Sequence, residues 1–429
     1  MEPVRNKGDV TAPLKTKTLH DKPYIADIKM NAGEIVGIIS GVIATLSGVG
    51  AVLKWCKDGW HKNGRFLNEY RKHPFFFPMP LAKEILRRNV GEYPVSSPFV
   101  DYAAAVEKGY YTFDVEQIKI KKAKLIEEVK LPYKIIINYI EHPEVQTKIR
   151  ESRIDGAFSL SDEYVSETQD NLEEFISSRP NTIDGPALRM KSMDVLPDGN
   201  FECSLQSTTY FNQVRTNLTI DFPLDAMRTM RTEDLSDNKT LKSFEESVLA
   251  NTIGVSAMWM TPLARGRKKS SLQVFLKPRR ATTGIYSDML GTVSGVVEYP
   301  EGGIFNCASL EEYATAEILR EFFQETGYDE YMKKTGVRMD DIHVIPLLFT
   351  RELVRGGKPQ FFFLILTPSM KEKEIESFFK NSFNGTEEFQ DGVLARFREF
   401  RMSPETGMNF LYALRYLQQN HYLGFVDLT

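Results

Sequence analysis

The stretch Arg320-Glu321-Phe322-Phe323-Gln324-Glu325-Thr326-Gly327-Tyr328 places acids, an amide and a guanidinium at helical spacing and closes on a glycine. On a helix, Glu321, Gln324 and Glu325 stand at i, i+3 and i+4, so their side chains share one side. Glu317, one turn earlier, extends the same stripe. Hard oxygen donors converging from one rigid element suit Mg²⁺, and Mg²⁺ in turn neutralises the charge of a pyrophosphate. An ordinary amphipathic helix ending in a glycine C-cap would give the same local pattern. The surrounding sequence therefore decides between the two.

Outward from this stretch, Val255–Thr261 and Leu272–Leu276 have the composition of strands and flank a turn carrying Arg265, Arg267, Lys268 and Lys269. That cluster is expected to be a solvated hairpin tip. Lys277, Arg279 and Arg280 follow the second strand and lead towards the side where the acidic helix is expected, where Arg can grip phosphate oxygens bidentately. Gly291–Val297 and Pro300–Gly303 then run up to the helix. Phe361–Leu366 reads as a buried strand and residues 403–419 as a closing helix.

This arrangement resembles the Nudix superfamily, whose signature is a glycine, a glutamate, and then an Arg-Glu-apolar-x-Glu-Glu-x-Gly-apolar helix. Arg320, Glu321, Glu325, Gly327 and Tyr328 match it, and Glu312 lies at the family's spacing before the arginine. Two positions depart from it. Gln324 stands where the family has the first of its paired glutamates, and Gly303 lies three residues too far upstream to open the loop. The resemblance covers residues 245–429 and implies an α+β fold, a Nudix-like α/β/α sandwich with a mixed sheet. It also implies Glu321, Gln324 and Glu325 as ligands for Mg²⁺, with Glu321 and Glu325 catalytic if the domain is active. The neutral Gln324 and the altered glycine loop leave that activity open.

The 429 residues allow two or three domains, and a 42% hydrophobic content supports a sizeable core. A net charge of −4 gives no global attraction to nucleic acid or anionic lipid, so such binding must come from a local patch. Cys56, Cys203 and Cys307 are odd in number and far apart, which fits a reduced compartment.

Residues 1–30 read as a flexible leader. The composition then changes: Ile35 to Leu53 contains no charged residue, and as a helix it would be about 28 Å long, enough to cross a bilayer. A single transmembrane helix is expected within residues 31–55. Gly37 and Gly41, and Ser40, Ala44 and Gly48, line adjacent ridges of that helix; small residues allow close backbone approach between copies, though they are also frequent in membrane helices generally. Lys54, Lys57, Lys62, Arg65, Arg71 and Lys72 follow the span, against Lys15, Lys17, Lys22 and Lys29 before it. This bias places the C-terminal part in the cytoplasm, across a bacterial inner membrane if the architecture is bacterial.

Residues 56–185 form a connecting region of mixed structure, in which Pro74, Pro78 and Pro80 bracket an aromatic run and suggest an extended connector. Residues 114–140 fit helix or strand equally, and 162–178 read as a solvated helix or linker. Residues 186–244 are expected as a β-rich extension packed on the last domain, with Ala187–Leu196 and Phe201–Gln206 joined by a Pro197-Asp198-Gly199-Asn200 turn. Tyr210 and Arg215 just beyond could hold a base and a phosphate, although a plain packed hairpin would carry the same residues. Glu352 is expected to face solvent.

Two functions follow from these readings. One is an oligomeric membrane effector whose small-residue helices form an ion channel or pore, controlled by a nucleotide or single-stranded oligonucleotide on the Nudix-like domain. The other is a membrane-tethered, Mg²⁺-dependent Nudix pyrophosphohydrolase acting on a nucleoside diphosphate derivative. The first architecture resembles membrane effectors of bacterial antiphage systems that respond to nucleotide signals, the Hailong-type ion-channel components among them. That resemblance implies homo-oligomers, a single-stranded DNA ligand and a partner nucleotidyltransferase that makes it.

Overall fold

Successive residues of the central strands carry large apolar side chains to opposite faces, so the sheet has to be covered twice. The computed structural model describes residues 76–91, 97–122, 125–154, 156–179, 182–265, 268–279, 286, 289–371, 373–374 and 401–420. The leader, the expected membrane helix and its small residues Gly37, Ser40, Gly41, Ala44 and Gly48 lie outside them. No helix among the described residues is long and apolar enough to cross a membrane.

The first elements are β1 (Phe76–Pro78), α1 (Met79–Asn89), α2 (Tyr102–Glu107), β2 (Glu116–Lys122), β3 (Leu125–Leu131), β4 (Tyr133–Asn138) and β5 (Thr147–Ile149). Helices α3 (Asp162–Glu167) and α4 (Gln169–Ser177) precede the hairpin β6 (Pro186–Val195) and β7 (Phe201–Thr209), then α5 (Tyr210–Gln213) and α6 (Met230–Glu233). Next come β8 (Gly254–Arg265), β9 (Lys268–Phe275), β10 (Lys277–Pro278), β11 (Leu290–Gly291), β12 (Val293–Val296), α7 (Leu310–Thr326) and α8 (Tyr328–Thr335). They are followed by β13 (His343–Glu352), β14 (Lys358–Leu366), β15 (Met370–Lys371) and α9 (Pro404–Gln419).

The main sheet runs β1-β9-β8-β14-β13-β4, with β12 and β15 also joined to β8. The β14–β8 pairing is parallel and the β8–β9 and β13–β14 pairings antiparallel, so the sheet is mixed and the fold is α+β. On one face Val255, Ala257 and Trp259 pack with Ile318 and Phe322 of α7 and with Tyr328. Trp259 meets Phe322 and Tyr328 edge-on at 5.0 and 5.4 Å between ring centroids. On the other face Met258, Met260 and Phe362 pack with Met408, Leu411 and Tyr412 of α9 and with Ile85 and Leu86 of α1. Each large side chain withdrawn from water contributes on the order of 1.5–3 kcal/mol, and this double burial fixes the strand register.

One expectation is corrected here and two open readings are resolved. The aromatic run before Pro78 is not an extended connector: Phe76 and Phe77 pair with Phe275 and Val274 and are buried in opposite cores. Pro78 and Pro80 instead mark the start of α1, where the missing N–H removes no helical bond. The ambiguous 114–140 segment is β2 to β4, and β4 forms an edge of the main sheet through β13. Residues 162–178 are two helices, and α4 buries Leu172 and Phe175. A third core gathers these with Phe99, Ile220 and Leu353. It is tied by the buried Arg231, whose guanidinium donates to Asp221 Oδ1 (2.6 Å) and Oδ2 (2.7 Å) and to the carbonyls of Leu353 and Val354.

Candidate functional site

Helix α7 begins at Ser309, whose hydroxyl accepts from the Glu312 amide, and ends at Gly327, whose φ of 66° is left-handed and favours glycine. With Ala314, Ile318 and Phe322 buried against the sheet, the adjacent ridge carries Glu317, Glu321 and Glu325 along β12. Glu321 lies directly over Gly295, where a Cβ would overlap its carboxyl carbon. The Glu325 carboxylate accepts from the Ser294 amide at 3.3 Å. A glycine in β12 thus lets the acidic ridge settle onto the strand.

The acids have cationic partners. Lys277 Nζ is 2.7 Å from Glu325 Oε1. Arg320 Nη2 lies 3.0 Å from Glu321 Oε1 and 3.1 Å from both Glu317 Oε2 and Glu298 Oε1. Its Nη1 donates to Gln324 Oε1 at 3.0 Å, so Gln324 sits on the exposed side of Arg320. Four carboxylates thus face two cations. Burial raises Glu321 to about 7; Arg320 opposes this, while Glu325, Glu317 and Glu298 add to it. The donors are the hard oxygens that Mg²⁺ prefers, although among the described residues no three acidic, His or Cys side chains converge as a metal cluster.

Arg279, two residues after Lys277, approaches the same margin from the α9 side. Its Nη2 is 3.4 Å from the Ser294 hydroxyl and 3.0 Å from Glu405 Oε2. It rests on Gly291, where a Cβ would come within 2.8 Å of Nε. Lys277, Arg279, Ser294 and Glu325 are therefore brought together. Arg280 lies outside the described residues.

The other predicted binders sit elsewhere. Arg215 donates to the Val165 carbonyl (3.0 Å), Thr168 Oγ1 (3.3 Å) and Gln169 Oε1 (2.7 Å), bracing α3 and α4. Tyr210 packs against the third core. Glu352 does not face solvent: it is fully buried at the end of β13, where Arg355 Nε donates to it at 2.7 Å and the Tyr286 hydroxyl also donates to it. The residues that sequence reasoning missed are its neighbours Arg355, Lys358 and Glu405. The available signal was a charged residue inside an apolar strand, Glu352 after Leu347-Leu348-Phe349 and Lys358 just before Phe361-Phe362-Phe363.

The chain matches no protein-family model, and no curated protein is significantly similar to it.

Proposed function

We propose that the described unit is a Nudix-like recognition module that binds a nucleotide or single-stranded oligonucleotide at the margin formed by Lys277, Arg279, Ser294 and Glu325. The observation that carries this reading is the convergence of two cations from one short segment: Lys277 on Glu325, whose carboxylate accepts from the Ser294 amide, and Arg279 on the Ser294 hydroxyl. Lys277 and Glu325 are about a quarter exposed, at 25% and 22%, so an incoming phosphate can reach them. A phosphate there takes over the cation that Glu325 now holds, and phosphate–lysine contacts of this kind are charge-assisted. In the full chain the span at residues 35–53 anchors the module, and several copies associate through Gly37, Gly41, Ser40, Ala44 and Gly48 to form a pore whose opening the ligand controls. The biological setting in keeping with this architecture is antiphage defence, with a nucleotidyltransferase supplying the ligand.

A second reading has its own support. Glu321, held near neutrality by burial, is poised as a general base, and Glu321, Glu325 and Gln324 would hold Mg²⁺ for hydrolysis of a nucleoside diphosphate derivative. When bound, the metal would neutralise pyrophosphate charge. Purification of the full-length protein in mild detergent, followed by mass spectrometry of whatever co-purifies, separates the two. An intact nucleotide or oligonucleotide that survives Mg²⁺ supports the recognition module. The absence of any ligand, or one consumed when Mg²⁺ is added, supports the hydrolase.

A further inference from the structure

The α9 face of the sheet holds a buried chain of charge that ends at the proposed ligand margin. Lys358 stands directly across from Glu352 in the β13–β14 ladder and is 1% exposed. Its ammonium lies on Gly254, where a Cβ would overlap it, and donates to Gln360 Oε1 at 3.3 Å. Glu352 is held by Arg355, whose Nη2 is 3.8 Å from Glu405 Oε2, and Glu405 in turn is 3.0 Å from Arg279. Three cationic side chains therefore accompany two carboxylates, and the pairs among the described residues are made by Arg279 and Arg355. Lys358 makes no ion pair among the described residues.

The groups around Lys358 come from several elements: Glu352 on β13, Arg355 in the turn after it, and Glu405 on α9. Tyr286 and, on β4, Tyr133 face the same carboxylates. The Tyr133 hydroxyl and Asn409 Oδ1 are buried without a partner among the described residues, so this interior is not fully satisfied. Burial lowers the Lys358 amine to about 7; Arg355 adds to this and the two glutamates oppose it. A fully protonated set has one positive charge too many for a dry interior, and an anion at the Arg279 end relieves it.

We propose that Lys358, Glu352, Arg355 and Glu405 are positioning residues for Arg279, and that capture of a phosphodiester at the Lys277–Arg279 margin is coupled to uptake of a proton by Lys358. The inference rests on the reading of that margin as the ligand site. By linkage, a ligand that raises the affinity of Lys358 for its proton is itself bound more tightly at lower pH.

The test uses the full-length chain in mild detergent and an unphosphorylated, fluorophore-labelled oligothymidylate, whose phosphodiesters keep their charge from about pH 6 to about pH 8.5. Glu321 also titrates in that window, so each measurement is repeated in a Glu321→Gln background. The expected result is binding roughly five- to tenfold tighter at the acidic end than at the basic end, with that dependence lost in Lys358→Met. Lys358→Gln serves if the Met variant does not fold. Glu405→Gln weakens binding and Glu405→Asp restores it. If Lys277→Ala abolishes binding but native protein and Lys358→Met share one pH profile, the inference falls and the ligand site stands. If the oligothymidylate binds at no pH, both fall.

Discussion

The two faces of the central sheet use charge in opposite ways. On the α7 face the aromatic core is dry and the carboxylates of Glu317, Glu321 and Glu325 lie along its margin, each still partly open to solvent. On the α9 face Glu352, Arg355, Lys358 and Glu405 are all buried. Charges at a wet margin can change partners at little cost, which suits ligand exchange. Buried ones are held in place by the penalty of leaving any of them alone. Arg279, which touches Glu405 on one side and Ser294 on the other, joins the two regimes.

The sharpest way to break this contrast is to orphan a charge on the buried face. Glu352→Ala leaves Arg355 without its main partner and is expected to cost about 3–5 kcal/mol in chemical denaturation. A cost below about 1 kcal/mol would mean that the cluster is not dry. Removing the surplus cation at Lys358 has the opposite effect and relieves the cluster. Lys358 is neutral in the folded chain above about 7 and charged in the unfolded chain up to the ordinary lysine value, so the unfolded state binds more protons between them. Stability should therefore rise with pH from about 7 to about 10, by a few kcal/mol at most, and Lys358→Met should abolish that slope and raise the thermal midpoint at pH 7.

Effects at the margin should be smaller for stability and larger for ligand. Gly295→Ala forces Glu321 off β12 and is expected to cost about 1–3 kcal/mol by overpacking, with altered ligand affinity as the second readout. Glu325→Gln removes a partly exposed partner of Lys277; the stability change should stay within about 1 kcal/mol while oligonucleotide binding tightens, because the lysine is released. Weaker binding in that variant would argue that Glu325 works with a metal and favour the hydrolase.

How much of this was legible beforehand follows from how local each feature is. The α7 helix, with its glycine stop, and the strands at 255–261 and 361–366 were readable because periodicity and caps are short-range properties. The same holds for the α+β class and the 187–206 hairpin. β1 was not readable, because two phenylalanines before a proline fit a connector as well as an edge strand, and its partner β9 lies some two hundred residues away in the chain. Arg279 and Glu405 are separated by 126 positions, so their pairing has no local signature. Glu352 was expected in solvent because it falls in an expected loop after the 345–350 strand; the strand instead runs on to Glu352, whose carboxylate is enclosed with Arg355 and Tyr286. For Gln324 the helix placed the residue correctly, while its orientation towards Arg320 depended on a side-chain contact that spacing alone does not determine.

The most direct measurement of the central claim is a density map of the full-length chain with its co-purified ligand bound. The account predicts phosphate density within hydrogen-bonding distance of Lys277, beside Ser294 and Arg279. Ligand density on another face of the unit, with Lys277 still paired to Glu325, would contradict it.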